Sequence, residues 1–178
     1  MTIAMPVVLG VMLALALAAF ANRRSAHHAV HVYATALIVA ALIYVAFALI
    51  GRASGAWLLV EVGGVALFGA AAVVGRRTWV PCLAIGWAAH VAWDLALHRS
   101  GAGAVYTPVW YPWLCVGFDL TLAAYILALG VEECNEHIDR CPDTVEGSRG
   151  LFAEDTGVCR PTRLITLDDN TAARYCFA

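Results

Sequence analysis

The sequence predicts an all-α, polytopic integral membrane protein with five transmembrane helices and a mostly irregular C-terminal tail, and three observations carry that prediction. Hydrophobic residues make up 62% of the chain and charged residues 13%, whereas an ordinary soluble domain is about a quarter charged. Five apolar runs, at about 3–21, 29–50, 55–75, 79–98 and 110–130, each match the roughly 20 helical residues needed to cross a bilayer. Charge is segregated as well: residues 1–130 hold six arginines and three carboxylates, residues 131–178 five arginines and ten carboxylates, and lysine is absent.

The first run ends in Ala19-Phe20-Ala21, which resembles a signal-peptide cleavage site. No positive charge precedes the apolar stretch and two arginines follow it, so a retained helix is the expectation. The second run opens with His27, His28 and His31, ordinary interfacial residues at a span's end. The connectors Asn22–Ser25, Gly51–Ser54, Arg76–Thr78 and Arg99–Gly103 are short and polar, so neighbouring helices are expected to be antiparallel. Trp57, Trp79, Trp110, Tyr111 and Trp113 near span ends fit interfacial belts. After Gly130 the hydropathy falls, and Cys141-Pro142, Gly147-Ser148 and Arg160-Pro161 read as turns. The expected domains are therefore a membrane domain, 1–130, and an acidic, cysteine-containing, largely disordered tail, 131–178.

Basic residues in short loops stay in the cytoplasm. The Arg23/Arg24 and Arg76/Arg77 pairs then lie inside, Arg52 and Arg99 outside. An inner-membrane protein with an external N-terminus and a cytoplasmic tail is expected. Membrane lipid is its surroundings, an apolar or lipid molecule its fitting substrate class, and no sequence feature specifies a protein partner. Excess acid in the tail and the lack of a basic run argue against nucleic acid.

All three carboxylates of the first 130 residues, Glu61, Asp94 and Asp119, fall inside predicted spans. A carboxylate at the centre of a span costs about 2.5–3.5 kcal/mol on insertion scales, so such residues mark candidate functional sites facing the bundle interior. The fourth run adds His90-x3-Asp94-x3-His98, and residues four apart in an α-helix drift by only about 40°, which puts all three on one stripe. Counted from the loop joining runs four and five, His90 lies about 12 Å deep, Asp119 about 13 Å and Cys115 about 7 Å, and Glu61, counted from Ala56 at the same-side start of run three, lies about 7 Å deep. The polar groups thus converge in one half of the membrane, in a site framed by helices three, four and five and expected to open outward.

Two histidines with carboxylates suit a divalent metal such as Zn, Fe, Mn or Cu. On that reading His90, Asp94 and His98 are ligands, and Asp119 or Glu61 is the remaining ligand or the catalytic base of a metal-dependent reaction. A proton or cation path through the same acids and a hydrogen-bonded structural network or noncatalytic subunit fit the residues too. Cys115, one turn from Asp119, is a candidate soft ligand, and Cys82 reads as a packing residue. In a cytoplasmic tail Cys134, Cys141, Cys159 and Cys176 are expected as thiols, with Cys134-x2-His137-x3-Cys141 and Cys159 as a nonstandard candidate zinc set.

The run Gly86-Trp87-x2-His90-x2-Trp93-Asp94-x3-His98, followed by Pro108, Cys115 and Asp119, resembles a family of small bacterial integral membrane proteins described only as a domain of unknown function. The likeness covers about residues 55–127 and includes an acid placed like Glu61. It implies the membrane class and this choice of site residues, and it brings no activity. The 131–178 tail has no counterpart in it.

Overall fold

The computed structural model describes residues 3–23 and 25–140. Arg24 and the tail from Cys141 onward, with Cys159 and Cys176, lie outside the described residues. The chain divides into two compact units, Met1–Leu127 and Ala128–Ala178, and every candidate membrane-site residue belongs to the first.

The described residues are helical and hold no strand. In order they form α1 (Ala4–Ala21), α2 (Ala26–Ile50), α3 (Gly55–Arg77), α4 (Pro81–Trp93), a π-helical segment (Asp94–Arg99), a short 3-10 turn (Ala102–Val105) and α5 (Tyr111–Arg140). Four stretches among them are long and apolar enough to cross a membrane: Ala4–Ala21, Ala26–Ile50, Gly55–Arg77 and Tyr111–Gly130. The remaining predicted run is helical as well, but its winding changes at Asp94.

Local chemistry sets the helix starts. The Ser25 hydroxyl accepts the His28 N–H at 3.2 Å, an N-cap that starts α2 at Ala26, ahead of the apolar run. Ser54 caps α3 by accepting the Trp57 N–H at 3.5 Å. Pro81 opens α4, where its missing N–H has no intrahelical partner to lose. The α2–α3 connection reverses through Arg52, whose φ of 53° is left-handed.

The helices are arranged inside out relative to a soluble protein. α1 buries Pro6, Gly10, Ala14, Ala18 and Ala21 and exposes Met5, Met12 and Phe20 at 69, 60 and 56%. In water such a face would be a large apolar patch. In lipid, where chain tails are as apolar as leucine, small residues do the packing because they let backbones approach. A Cβ on Gly10 would overlap the Leu114 carbonyl oxygen, and one on Gly117 the Val7 carbonyl oxygen, so α1 and α5 cross at these two glycines. α2 buries Tyr33, Leu37, Ala41, Tyr44 and Ala48, a single face by their spacing of four and three. It packs on α3, which in turn packs on α4. The apolar exteriors and the small-residue helix contacts suggest a membrane protein.

Two features add detail to the expectations. A mostly irregular tail was expected over 131–178; its described part continues α5 to Arg140. Loss of hydropathy at Gly130 marks where apolar character ends, while Glu132, Glu133 and Glu136 are good helix formers and no proline intervenes before Pro142. The second concerns His98: the α-helical stripe through positions 90, 94 and 98 becomes π-helical at Asp94.

Candidate metal centre and an adjoining Glu–His pair

Among the described residues the buried charged and imidazole side chains are Glu61, His90, Asp94, His98 and Asp119, each at most 2% exposed. They form two groups. His90 from α4, Asp94 at the start of the π segment and Asp119 from α5 offer ligand atoms that all lie within 4.8 Å of one another. His90 Nδ1 is 2.9 Å from Asp119 Oδ2 and 3.6 Å from Asp94 Oδ2. The meeting of His90 with Asp119 follows from their equal depth below the loop joining α4 and α5, which the residue count anticipates.

His98 is engaged elsewhere. Its Nε2 lies 2.9 Å from Glu61 Oε1, and the Tyr106 hydroxyl donates to that same oxygen at 2.5 Å. The groups are neighbours through Tyr44 of α2, whose ring stacks on His98 with centroids 3.7 Å apart and sits 5.9 Å from the His90 ring. Tyr106 lies outside the spans, and burial, followed by its hydrogen bond to Glu61, raises its phenol above the ordinary range. It therefore remains a donor at neutral pH.

Distance along the helix accounts for this division, because eight residues, about 12 Å at α-helical rise, separate His90 from His98. Continued as an α-helix, the chain would drift about 40° between positions 94 and 98, on top of the same drift from 90 to 94. A π-helix closes i→i+5 hydrogen bonds and turns less per residue, so it offsets that drift. The Ser100 hydroxyl donates to the Leu95 carbonyl at 3.0 Å, five residues back, and ties off the wide turn. His98 then meets α3 at Glu61, beneath the 102–105 turn.

That turn also packs against this pair. Gly103 lies over His98, where a Cβ would come within 2.7 Å of its Cδ2, and Gly51 lets the Tyr106 Cβ approach the end of α2. The proposed triple of His90, Asp94 and His98 is therefore not one cluster in this structure. Asp119, expected as a base or further ligand, takes the third place beside His90 and Asp94, and Glu61 pairs with His98. Cys115 is buried and free; it lies beside Asp94 and 4.0 Å from the Tyr44 hydroxyl, outside the three-residue group. Cys82 is free and only half-buried. Sequence reasoning missed Tyr44 and Tyr106. A tyrosine in the middle of the apolar α2 was the available signal for Tyr44, whereas nothing in the loop composition singles out Tyr106.

The first group is short of hydrogen bonds. His90 Nε2, both Asp94 oxygens and Asp119 Oδ1 are buried with no hydrogen-bond partner among the described residues, although His90, Tyr44 and Cys115 lie close to Asp94. A buried polar atom left unsatisfied costs about 1–3 kcal/mol, and two carboxylates in a dry interior need a counter-charge. Two acidic oxygen donors and one imidazole are a donor set for a divalent cation, so the buried His90/Asp94/Asp119 group could hold a metal ion. No family model, curated protein or solved structure matches the chain.

Proposed function

We propose that the protein is a five-span inner-membrane protein holding a divalent metal ion at His90, Asp94 and Asp119, and that the ion serves a reaction on an apolar or lipid substrate. The observation that carries the reading is the set of unpartnered lone pairs on three fully buried side chains converging within 4.8 Å. Four apolar stretches support the membrane class. The fifth span is the α4 helix together with its π-helical continuation, which joins α3 to α5 through short connectors. The two arginine pairs and the single Arg52 and Arg99 support an external N-terminus and a cytoplasmic C-terminus. Arg99 stands 5.5 Å over the Trp113 ring, an arrangement suited to the interface.

One imidazole and two carboxylates make a harder donor set than the two-histidine set expected from spacing, which favours Zn, Fe(II) or Mn over Cu. Such an ion, when bound, supplies Lewis acidity and lowers the pKa of a water ligand. Asp94 and Asp119 contribute the balancing charge, Asp119 also orients the His90 ring through Nδ1, and the apolar helix faces exclude bulk water. Lipid-soluble molecules are the substrates able to approach a centre within the spans.

Elemental analysis of protein purified without chelators tests the proposal. About one equivalent of metal is expected in the wild type, with losses in His90→Ala, Asp94→Asn and Asp119→Asn. A wild type lacking metal, and failing to take up Zn, Fe(II), Mn or Cu on titration, would refute it.

A further inference from the structure

The Glu61–His98–Tyr106 group takes no part in holding the proposed metal, and it has a polarity of its own. Glu61 Oε1 accepts from the Tyr106 hydroxyl at 2.5 Å and lies 2.9 Å from His98 Nε2, and because an ionised carboxylate only accepts, the imidazole is assigned as the donor through Nε2. A neutral imidazole that donates through Nε2 carries its lone pair on Nδ1. His98 Nδ1 is buried and has no hydrogen-bond partner among the described residues.

Ring geometry gives the direction of that lone pair. Nδ1 stands across the five-membered ring from the Cδ2–Nε2 bond, and a Cβ on Gly103 would lie 2.7 and 3.2 Å from those two atoms. Nδ1 therefore lies at the ring edge away from the covering loop, buried in the bundle, while Tyr44 stacks on the ring face and bridges to His90. At the other end Tyr106 is only part-buried and follows the 102–105 turn, at the surface end of the group. Besides Glu61 and Tyr106, the titratable groups around His98 are Tyr44 from α2 and Asp94 from its own helix, with Tyr111 and Cys115 of α5 behind Tyr44.

We propose that His98, Glu61 and Tyr106 form a proton relay connecting the bundle interior to the membrane surface at the 100–110 loop. His98 Nδ1 takes a proton from an acidic group of a ligand in the interior. The Nε2 proton moves to Glu61 Oε1; the Tyr106 hydroxyl, which donates to Glu61 at rest, turns to surface water, and its oxygen takes the Glu61 proton as the hydroxyl proton leaves to that water. Each N–H or O–H bond broken is matched by one formed, and no electrons change hands. Glu61 fixes the ring tautomer and balances the transient imidazolium, as a buried carboxylate does for a hydrolase histidine. The relay stands whether or not a metal fills the His90 group.

Nitrogen-15 NMR of the full-length, imidazole-labelled protein in nanodiscs tests this, with His98 assigned by His98→Gln. Wild-type His98 is expected to show a bare Nδ1 and a protonated Nε2. Tyr106→Phe should slow solvent exchange of the Nε2 proton at least tenfold while leaving the other histidine signals in place, and Glu61→Gln should mix the two tautomers. His98→Gln should retain the wild-type metal content. A protonated Nδ1 in the wild type, unchanged exchange in Tyr106→Phe, or metal lost from a folded His98→Gln protein would each overturn the relay. The expected tautomer and exchange in a wild type that binds no metal would uphold the relay while removing the metal reading.

Discussion

Asp119→Asn separates a metal ligand from a structural hydrogen bond. Asp119 is fully buried, its Oδ2 is 2.9 Å from His90 Nδ1, and its Oδ1 has no hydrogen-bond partner among the described residues. As a structural bond alone, the contact is worth about 0.6 kcal/mol and at most about 1.7, as measured for hydrogen bonds between membrane helices. The amide keeps a carbonyl acceptor, so the metal-free variant should lose less than that. As a ligand the change is larger. Removing even an outer-shell partner weakens metal binding about 10–100-fold, so replacing an anionic ligand should exceed about 100-fold, or roughly 2.7 kcal/mol. Unfolding of the metal-free protein in SDS reads the first quantity, and titration of chelator-stripped protein with Zn or Co(II) in detergent reads the second. A variant that binds metal within tenfold of the wild type would refute the assignment of Asp119 as a ligand.

Further outcomes follow from the packing and the termini of the spans. Gly10→Leu should destabilise the α1–α5 crossing by about 1–3 kcal/mol through overpacking, while Gly63→Ala, where nothing lies within 4 Å, should change the SDS unfolding midpoint little. In a cysteine-free background Ala104→Cys should react with an impermeant maleimide on intact cells and Thr78→Cys only after permeabilisation; the reverse pattern would invert the topology. Because Tyr106 is raised above the ordinary tyrosine range, Tyr106→Phe should remove a component of the ultraviolet titration lying above about pH 10. A wild-type-minus-variant difference that titrates below that pH would contradict the burial and the Glu61 bond.

The residues at the centre were legible because lipid makes buried charge conspicuous. Glu61, Asp94 and Asp119 stand out within apolar runs, and counting 1.5 Å per residue from a shared loop is enough to level His90 with Asp119. The grouping was not legible. Periodicity puts His90, Asp94 and His98 on one stripe, but His98 stands eight residues, about 12 Å, along the helix from His90, where Glu61 of α3 meets it. The contribution of Tyr44 depends on the packing of α2 on its neighbours, which no spacing within α2 reveals. Tyr106 reaches Glu61 through a loop whose path is set by Gly103 over His98 and Gly51 against Tyr106. In α5, hydropathy marked the end of the apolar stretch, whereas helix propensity carried the backbone on to Arg140.

The central claim is that one imidazole and two carboxylates hold a metal within the spans. X-ray absorption at the metal edge, on protein purified without chelators, addresses it most directly. The account predicts a stoichiometric Zn, Fe or Mn signal whose nearest shell is oxygen and nitrogen, with scattering from a single imidazole and none from sulfur. A shell containing two imidazoles would return His98 to the ligand set, sulfur would bring in Cys115, and the absence of a stoichiometric edge would contradict the metal centre itself.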